Sequence, residues 1–196
     1  HHRKGGNPPQ VHPPPPPGRE DARPLPGESP HRARAMALRV GSKSFKKGDH
    51  KAVLMELIKL PENGLCADCK SKGPRWASSS IGIFVCIKCS GIHRNLGTHL
   101  SFVRSVNLDE WKPEQVQRMV TWGNKHAAAF FEADVPPGYP IPDENSSVQH
   151  LTKWIRDKYE YCKFVPRGTD SSRDPRRGGT PAAIGAAPAE TTNGAK

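Results

Sequence analysis

The pattern of apolar positions divides this chain before any motif is read. Residues 1–35 show no periodicity, and ten prolines, with the run Pro13 to Pro17, favour polyproline II and coil there. From Phe45 the pattern turns helical. Val53, Leu54, Leu57, Ile58 and Leu60 form an amphipathic stripe, Asp49 lies near its start, and Pro61 ends it. Glu62-Asn63-Gly64 reads as a turn. Ile83-Phe84-Val85 is short, apolar and partly β-branched, which predicts a strand. Trp76 and the residues after it are its candidate antiparallel partner, with Ser80-Ile81-Gly82 in or near the turn. Residues 88–96 predict a short helix stopped by Gly97, and Phe102 to Val106 a further strand.

Pro113 suits the first turn of a helix that runs through Val116, Met119, Val120 and Trp122. Gly123-Asn124 breaks or caps it, and Ala127 to Phe131 continues as a second helix, with Met119 and Phe130-Phe131 in the core. Four prolines between Pro136 and Pro142 require a loop. Ser147 is a fair N-cap for a last helix, with Val148, Leu151, Ile155, Tyr159 and Cys162 on one stripe and Cys162 as a core thiol. Past Val165 the chain is rich in Gly, Pro, Ala and Arg, and no fold is predicted. The expected organisation is a disordered basic, proline-rich tail over 1–43, one folded domain over 44–165, and a second disordered tail over 166–196. Met36 is the first methionine and stands where the proline-rich stretch gives way, so native translation is expected to start there.

Charge sharpens this division. The net charge is +11 and the hydrophobic fraction only 34%. Residues 1–52 carry 11 Lys and Arg against 4 Asp and Glu, whereas residues 53–165 carry 14 against 12. A nucleic-acid-binding module keeps its basic patch on the folded part, so no nucleic-acid partner is expected. The basic tail is instead suited to solvated disorder or attraction to an acidic membrane surface. No apolar run approaches the roughly 20 residues a membrane helix needs, and no GxxxxGK[ST] phosphate loop is present.

The chemistry lies in the cysteines. Cys66-x2-Cys69-x16-Cys86-x2-Cys89 places four thiols in two CxxC pairs. Two such turns brought together offer a divalent zinc ion a closed tetrahedral set, with no open position for water, so the metal is expected to serve folding. The alternatives are four buried cysteines without a metal, or His93 or His99 replacing one thiol. Metal-ligand cysteines also suit a reducing compartment. Arg94 follows five residues after Cys89, on a helix that begins at a metal-locked turn. Its guanidinium can therefore be aimed with little entropic loss, and such a group suits phosphate or developing phosphoryl charge. A solvent-exposed helix arginine is the plainer reading. GATA-type DNA-binding fingers share the four-cysteine pattern with a tryptophan between the pairs. There, basic residues follow the tryptophan; here Ala77-Ser78-Ser79 does, and residues 95–103 hold no Lys or Arg.

The stretch CADCKSKGPRWASSSIGIFVCIKCSGIHRNLGTHLSFVRSVNLD, Cys66 to Asp109, resembles the signature of Arf GTPase-activating proteins. The shared features are the cysteine spacing, PxWAS after the first pair, the CSGIHRxLGxHxSxVRS run and the LD that follows. Within the family the likeness is greatest to the stromal-membrane-associated branch. The resemblance implies an α+β fold: a small four-cysteine zinc-finger module with a three-stranded antiparallel sheet and about five surrounding helices. It implies a GTPase activator rather than an enzyme in its own right, with Arg94 as an arginine finger. GTP and Mg²⁺ would belong to the partner, an Arf-family small GTPase in its GTP form. Trp76, Ile81, Gly82, Ile92, Arg104 and Asp109 become candidate partner-binding residues. For Trp76 the alternative is core packing, for Asp109 capping of the helix near Trp111, and for Arg104 a surface ion pair. The implied location is the cytoplasm, with transient recruitment to Golgi, endosomal or plasma membranes through the GTPase. An inactive scaffold that keeps the fold to bind partners is the remaining alternative.

Overall fold

A computed structural model describes residues 50–181. Its centre is a sheet of three three-residue strands, β1 (Trp76–Ser78), β2 (Ile83–Val85) and β3 (Val103–Ser105). The order is β2-β1-β3 and both pairings are antiparallel. Trp76 stands opposite Val85 on one side and Ser105 on the other, so residue alternation assigns each side chain to a face. Ala77 and Phe84 face α1 (His50–Leu57) and α3 (Pro113–Thr121), where Leu54, Leu57, Trp111, Val116 and Met119 complete an apolar cluster. Ile83 and Val85 face a larger cluster shared by α2 (Ile87–Asn95), α4 (Gly123–Phe131) and α5 (Val148–Ile155). The sheet is thus covered on both faces by five α-helices among the described residues, the α+β arrangement expected.

Local sequence explains most of the boundaries. Gly82, at φ +89°, closes the β1–β2 turn by donating its N–H to Ser78 O at 2.8 Å. Gly97, at φ +90°, ends α2 as a left-handed residue past the last turn. Pro113 opens α3, Gly123 at φ +63° separates α3 from α4, and the Ser147 side chain caps α5 by accepting from His150 N.

Three expectations change. The first helix stops at Leu57 and gives way to turns through Gly64, and its expected beginning at Phe45 and Asp49 lies outside the described residues. The last helix does not carry one stripe from Val148 to Cys162. Val148 is 56% exposed, and Arg156–Glu160 widens into a π-turn that swings Lys158 and Tyr159 inward. Cys162 then sits half-buried at φ +48°, outside the helix. Finally, the fold does not stop at Val165. Two 3₁₀ turns, Ser171–Arg173 and Pro175–Arg177, lie against the domain; Arg176 bonds Tyr159 O and the Trp122 indole donates to Gly179 O. The composition hid this because the segment packs through arginine and backbone rather than through an apolar stripe.

Candidate metal centre and arginine site

The metal centre is built from two turns of different kind. The first pair sits in a loop clasped by a bridge between Leu65 and Lys72, with Cys66 N donating to Ser71 O at 2.8 Å. Lys70, at φ +59°, turns the chain back after Cys69. The second pair is the start of α2 itself. Cys86 is its N-cap, and its sulfur accepts from Cys89 N at 3.4 Å. Cys86 N in turn donates to Cys66 Sγ at 3.3 Å. A backbone N–H donated to sulfur favours the thiolate, the form that binds metal.

All four Sγ atoms lie within 4.8 Å of one another, and Cys69 and Cys86 are 3.6 Å apart. A tetrahedron with metal–sulfur bonds of about 2.3 Å has sulfur–sulfur edges of about 3.8 Å, so the set fits Zn²⁺. The electrostatics agree. Hydrogen bonds from the other three thiols, then burial, push Cys66 far up, while the bond from Cys66 holds Cys69 down to about 6. A cation among the sulfurs would favour their ionised forms. The remaining candidate ligands are engaged elsewhere or exposed: His93 bonds other residues, and His99 lies at the surface.

Beneath the centre lies a buried ionic network that the sequence reading missed. Asp68, between the first two cysteines, is fully buried, with Oδ2 2.9 Å from His93 Nε2 and Oδ1 3.2 Å from Lys158 Nζ. Lys158 is also fully buried and pairs with Glu132 as well. Burial alone would raise the Asp68 carboxyl, but Lys158 and His93 outweigh it and hold the group well below the usual range. Burial likewise opposes the Lys158 charge, and Asp68 and Glu132 restore it. Lys158 is inconspicuous in the sequence, standing among Arg156, Asp157 and Glu160, and its partners lie too far along the chain to be guessed.

Arg94 projects from the last turn of α2 into solvent, next to His93, which is fully buried. Its guanidinium carbon lies 4.6 Å from the centroid of the Trp76 ring. Among the described residues it has no hydrogen-bond or ion-pair partner. An exposed stack of this kind contributes about 0.5–1 kcal/mol, enough to bias the side chain but not to fix it. The arrangement presents a guided cation with its donors free for an incoming anion.

The other predicted residues separate. Trp76 is half-buried against the core, the alternative considered for it, and its ring lies under Arg94. Ile81, Gly82 and Ile92, expected on the partner-facing surface, are instead buried. Ile81 and Ile92 belong to the core, and Gly82 packs against Trp122. Asp109 does not cap α3, whose N-cap is Lys112; it accepts from Ser105 N at 2.6 Å and pins the turn after β3. Arg104 lies over the Phe102 ring at 4.9 Å, half-buried. Two apolar residues not singled out from sequence are exposed on segments adjoining the site: Ile87 at the start of α2 (65%) and Leu108 in the pinned turn (85%).

Residues 51–168 match the ArfGap family model, described as "Putative GTPase activating protein for Arf". Stromal membrane-associated protein 1 of Mus musculus is 50% identical over 118 residues, covering 60% of this chain and 26% of that protein. The ADP-ribosylation factor GTPase-activating protein AGD12 of Arabidopsis thaliana is 42% identical over 121 residues, 61% of this chain and 36% of that protein. The chain therefore spans between a quarter and two fifths of the length of these relatives. The solution structure of the ArfGap domain of human RIP superposes with a TM-score of 0.54 at 26% identity, over 64% of this chain and 92% of that one. A covered three-stranded sheet, a four-cysteine cluster and a family match running from α1 to past the π-turn agree, and the chain belongs to the ArfGap family, near its stromal-membrane-associated branch.

Proposed function

We propose that this chain activates GTP hydrolysis by an Arf-family GTPase and that Arg94 is the residue it contributes. One observation carries the reading. In a member of this family, an unpaired, exposed guanidinium stands on a helix whose first turn is a metal-ligand turn, and it is guided by an aromatic ring. In this mechanism the GTPase brings GTP, Mg²⁺ and the group that positions water. Arg94 leaves its stack on Trp76, enters the nucleotide site and bridges oxygens of the transferring phosphoryl group as charge grows there. Leaving the stack forfeits little energy, whereas arginine fingers are worth roughly 10³–10⁵ in rate. Cys66, Cys69, Cys86 and Cys89 would hold one Zn²⁺ that organises the start of α2 and takes no part in the chemistry. The exposed side chains of Ile87 and Leu108 supply apolar contact of the kind a protein partner covers.

No helix among the described residues is long and apolar enough to cross a membrane. Separately, we propose that recruitment to Golgi, endosomal or plasma membranes comes through the GTPase, aided by the basic tail. Vesicle co-sedimentation that needs neither the GTPase nor acidic lipid would refute this. The function itself is tested by single-turnover GTP hydrolysis on Arf isoforms. The wild-type chain should accelerate hydrolysis, and Arg94→Lys should lose most of that effect while keeping fold and zinc, because a point charge cannot bridge two oxygens. Wild-type rates from Arg94→Lys would sink the arginine assignment. No acceleration by the wild-type chain on any isoform would leave the scaffold reading in its place.

A further inference from the structure

Arg94 and Trp76 form a stack, yet they sit on different elements, α2 and β1, and nothing in a stack of about 1 kcal/mol fixes two elements relative to each other. That task falls to the residue before Arg94. His93 is fully buried and both its ring nitrogens are engaged. Nε2 meets Asp68 Oδ2 at 2.9 Å, so it carries the proton and donates to the carboxylate. Nδ1 lies 2.9 Å from Ser101 Oγ, and Ser101 Oγ lies 2.8 Å from Ser78 Oγ. Ser78 is on β1 two residues after Trp76, so both side chains leave the same face of the strand. The Tyr159 ring closes the remaining side at 5.0 Å from the imidazole.

Four segments therefore converge on one imidazole: the first metal-ligand turn through Asp68, α2 through its own backbone, the segment before β3 through Ser101, and β1 through Ser78. Both halves of the Arg94–Trp76 stack hang from this chain, Arg94 by one peptide bond and Trp76 by the strand. We propose that His93 is the positioning residue that sets the guanidinium of Arg94 against the partner, through the Asp68–His93–Ser101–Ser78 chain. This rests on the reading of Arg94 as the contributed arginine. The distance scale makes it consequential, because a displacement of about 1 Å at a reacting group can lower rate by about 100-fold. The hydrogen bonds are all to groups inside a packed interior, where a lost partner is not replaced by water.

The test uses the full chain, loaded with zinc, as His93→Gln and as Ser101→Ala. The second variant deletes a single oxygen and keeps the experiment informative if the first fails to fold. Metal content and thermal midpoint establish that each is intact. The expected result is a fall in kcat of about 10- to 100-fold for GTP hydrolysis on an Arf-family GTPase, with KM little changed, since the loss lies in aiming and not in docking. The arginine Nε–H and the Trp76 indole N–H resonances should shift together as the stack opens. In an Arg94→Ala background the same substitutions should cause no further fall, because nothing remains to be aimed. Wild-type kcat in a folded, metal-loaded variant overturns the proposal, as does an equal further fall in the Arg94→Ala background. Should Arg94→Ala keep full activity, the arginine reading fails by itself. The resonances then decide whether His93 holds the stack: unchanged shifts overturn that, coupled shifts uphold it.

Discussion

Gly82 shows how a residue's neighbourhood fixes its meaning. A β-carbon added there would lie 2.7 Å from Trp122 Cβ and 3.0 Å from Arg118 O, and the backbone at φ +89° already disfavours an L side chain. Gly82→Ala should therefore cost about 2–4 kcal/mol, read as a lowered midpoint of urea unfolding, with zinc stoichiometry unchanged. A midpoint equal to wild type would contradict the close approach of α3 to the sheet. The sequence marks the turn at Gly82 but not what packs on it, and the partner surface that the family resemblance implies for Gly82, Ile81 and Ile92 is one these buried residues do not reach. The clustering of the four cysteines was legible because their spacing alone brings them together, and the positions of Arg94 on α2 and Trp76 on β1 follow from the same short stretch of chain. Local geometry, a turn or a helix face, decides where they point. The buried isoleucines needed tertiary packing that no short window contains.

Between residue and element stands Asn124, which behaves like an extra strand. Its amide oxygen accepts from Phe84 N at 2.7 Å, and its amide nitrogen donates to Phe84 O at 3.2 Å and Leu65 O at 2.7 Å. The outer edge of β2 is thereby satisfied by a side chain on α4 together with Ala67 N, which also donates to Phe84 O at 3.0 Å. Asn63 Oδ1 holds Asn124 itself by accepting from its backbone N–H at 2.9 Å. Asn124→Ala should lose about 1–3 kcal/mol, because it orphans the buried Phe84 N–H. A loss under about 1 kcal/mol in chemical denaturation would show that water replaces the amide. In the sequence, Gly123-Asn124 reads only as a helix break, since an amide's partners are not encoded by its position. A second tie secures the π-turn: Asp157 Oδ2 receives bonds from Tyr139 OH and Lys153 Nζ, both at 2.5 Å, and Lys163 Nζ lies 3.3 Å away. Burial opposes the Asp157 charge, but these three donors outweigh it and lower the carboxyl below its ordinary value of 3.8. A depressed carboxyl stabilises above its unfolded value and loses that contribution as pH falls through the native one. Wild type should thus exceed Asp157→Asn by about 1–3 kcal/mol at neutral pH. The gap should close below pH 3.8. A gap independent of pH would remove the carboxylate from the account.

At the scale of the molecule, the zinc-side cluster holds three of the four cysteines together with Leu151, Trp154 and Tyr159. The metal-ligand cysteines are therefore part of the packed core, and a metal held there would be coupled to its folding. A structural zinc of this type contributes on the order of 10 kcal/mol, comparable to the whole net stability of a domain, about 5–15 kcal/mol. A strong chelator should abolish the cooperative transition and the near-ultraviolet signal of the tryptophans. Persistence of a sharp transition in metal-free protein would make the thiols a packing feature. Individual helices, strands and the cysteine pairs were legible because each is marked by a local pattern, whereas the fold class followed from the resemblance of Cys66 to Asp109 to the ArfGap signature. The ionic network was not, because its longest contact joins residues 90 positions apart. That separation also orders events during synthesis. Both CxxC pairs leave the ribosome well before Lys158, so a nascent chain can take up metal while Asp68 still lacks its ammonium partner. Assembly is then completed by the arrival of the last turn, and a chain cut short before it would leave the Asp68 carboxylate with His93 but without its ammonium partner.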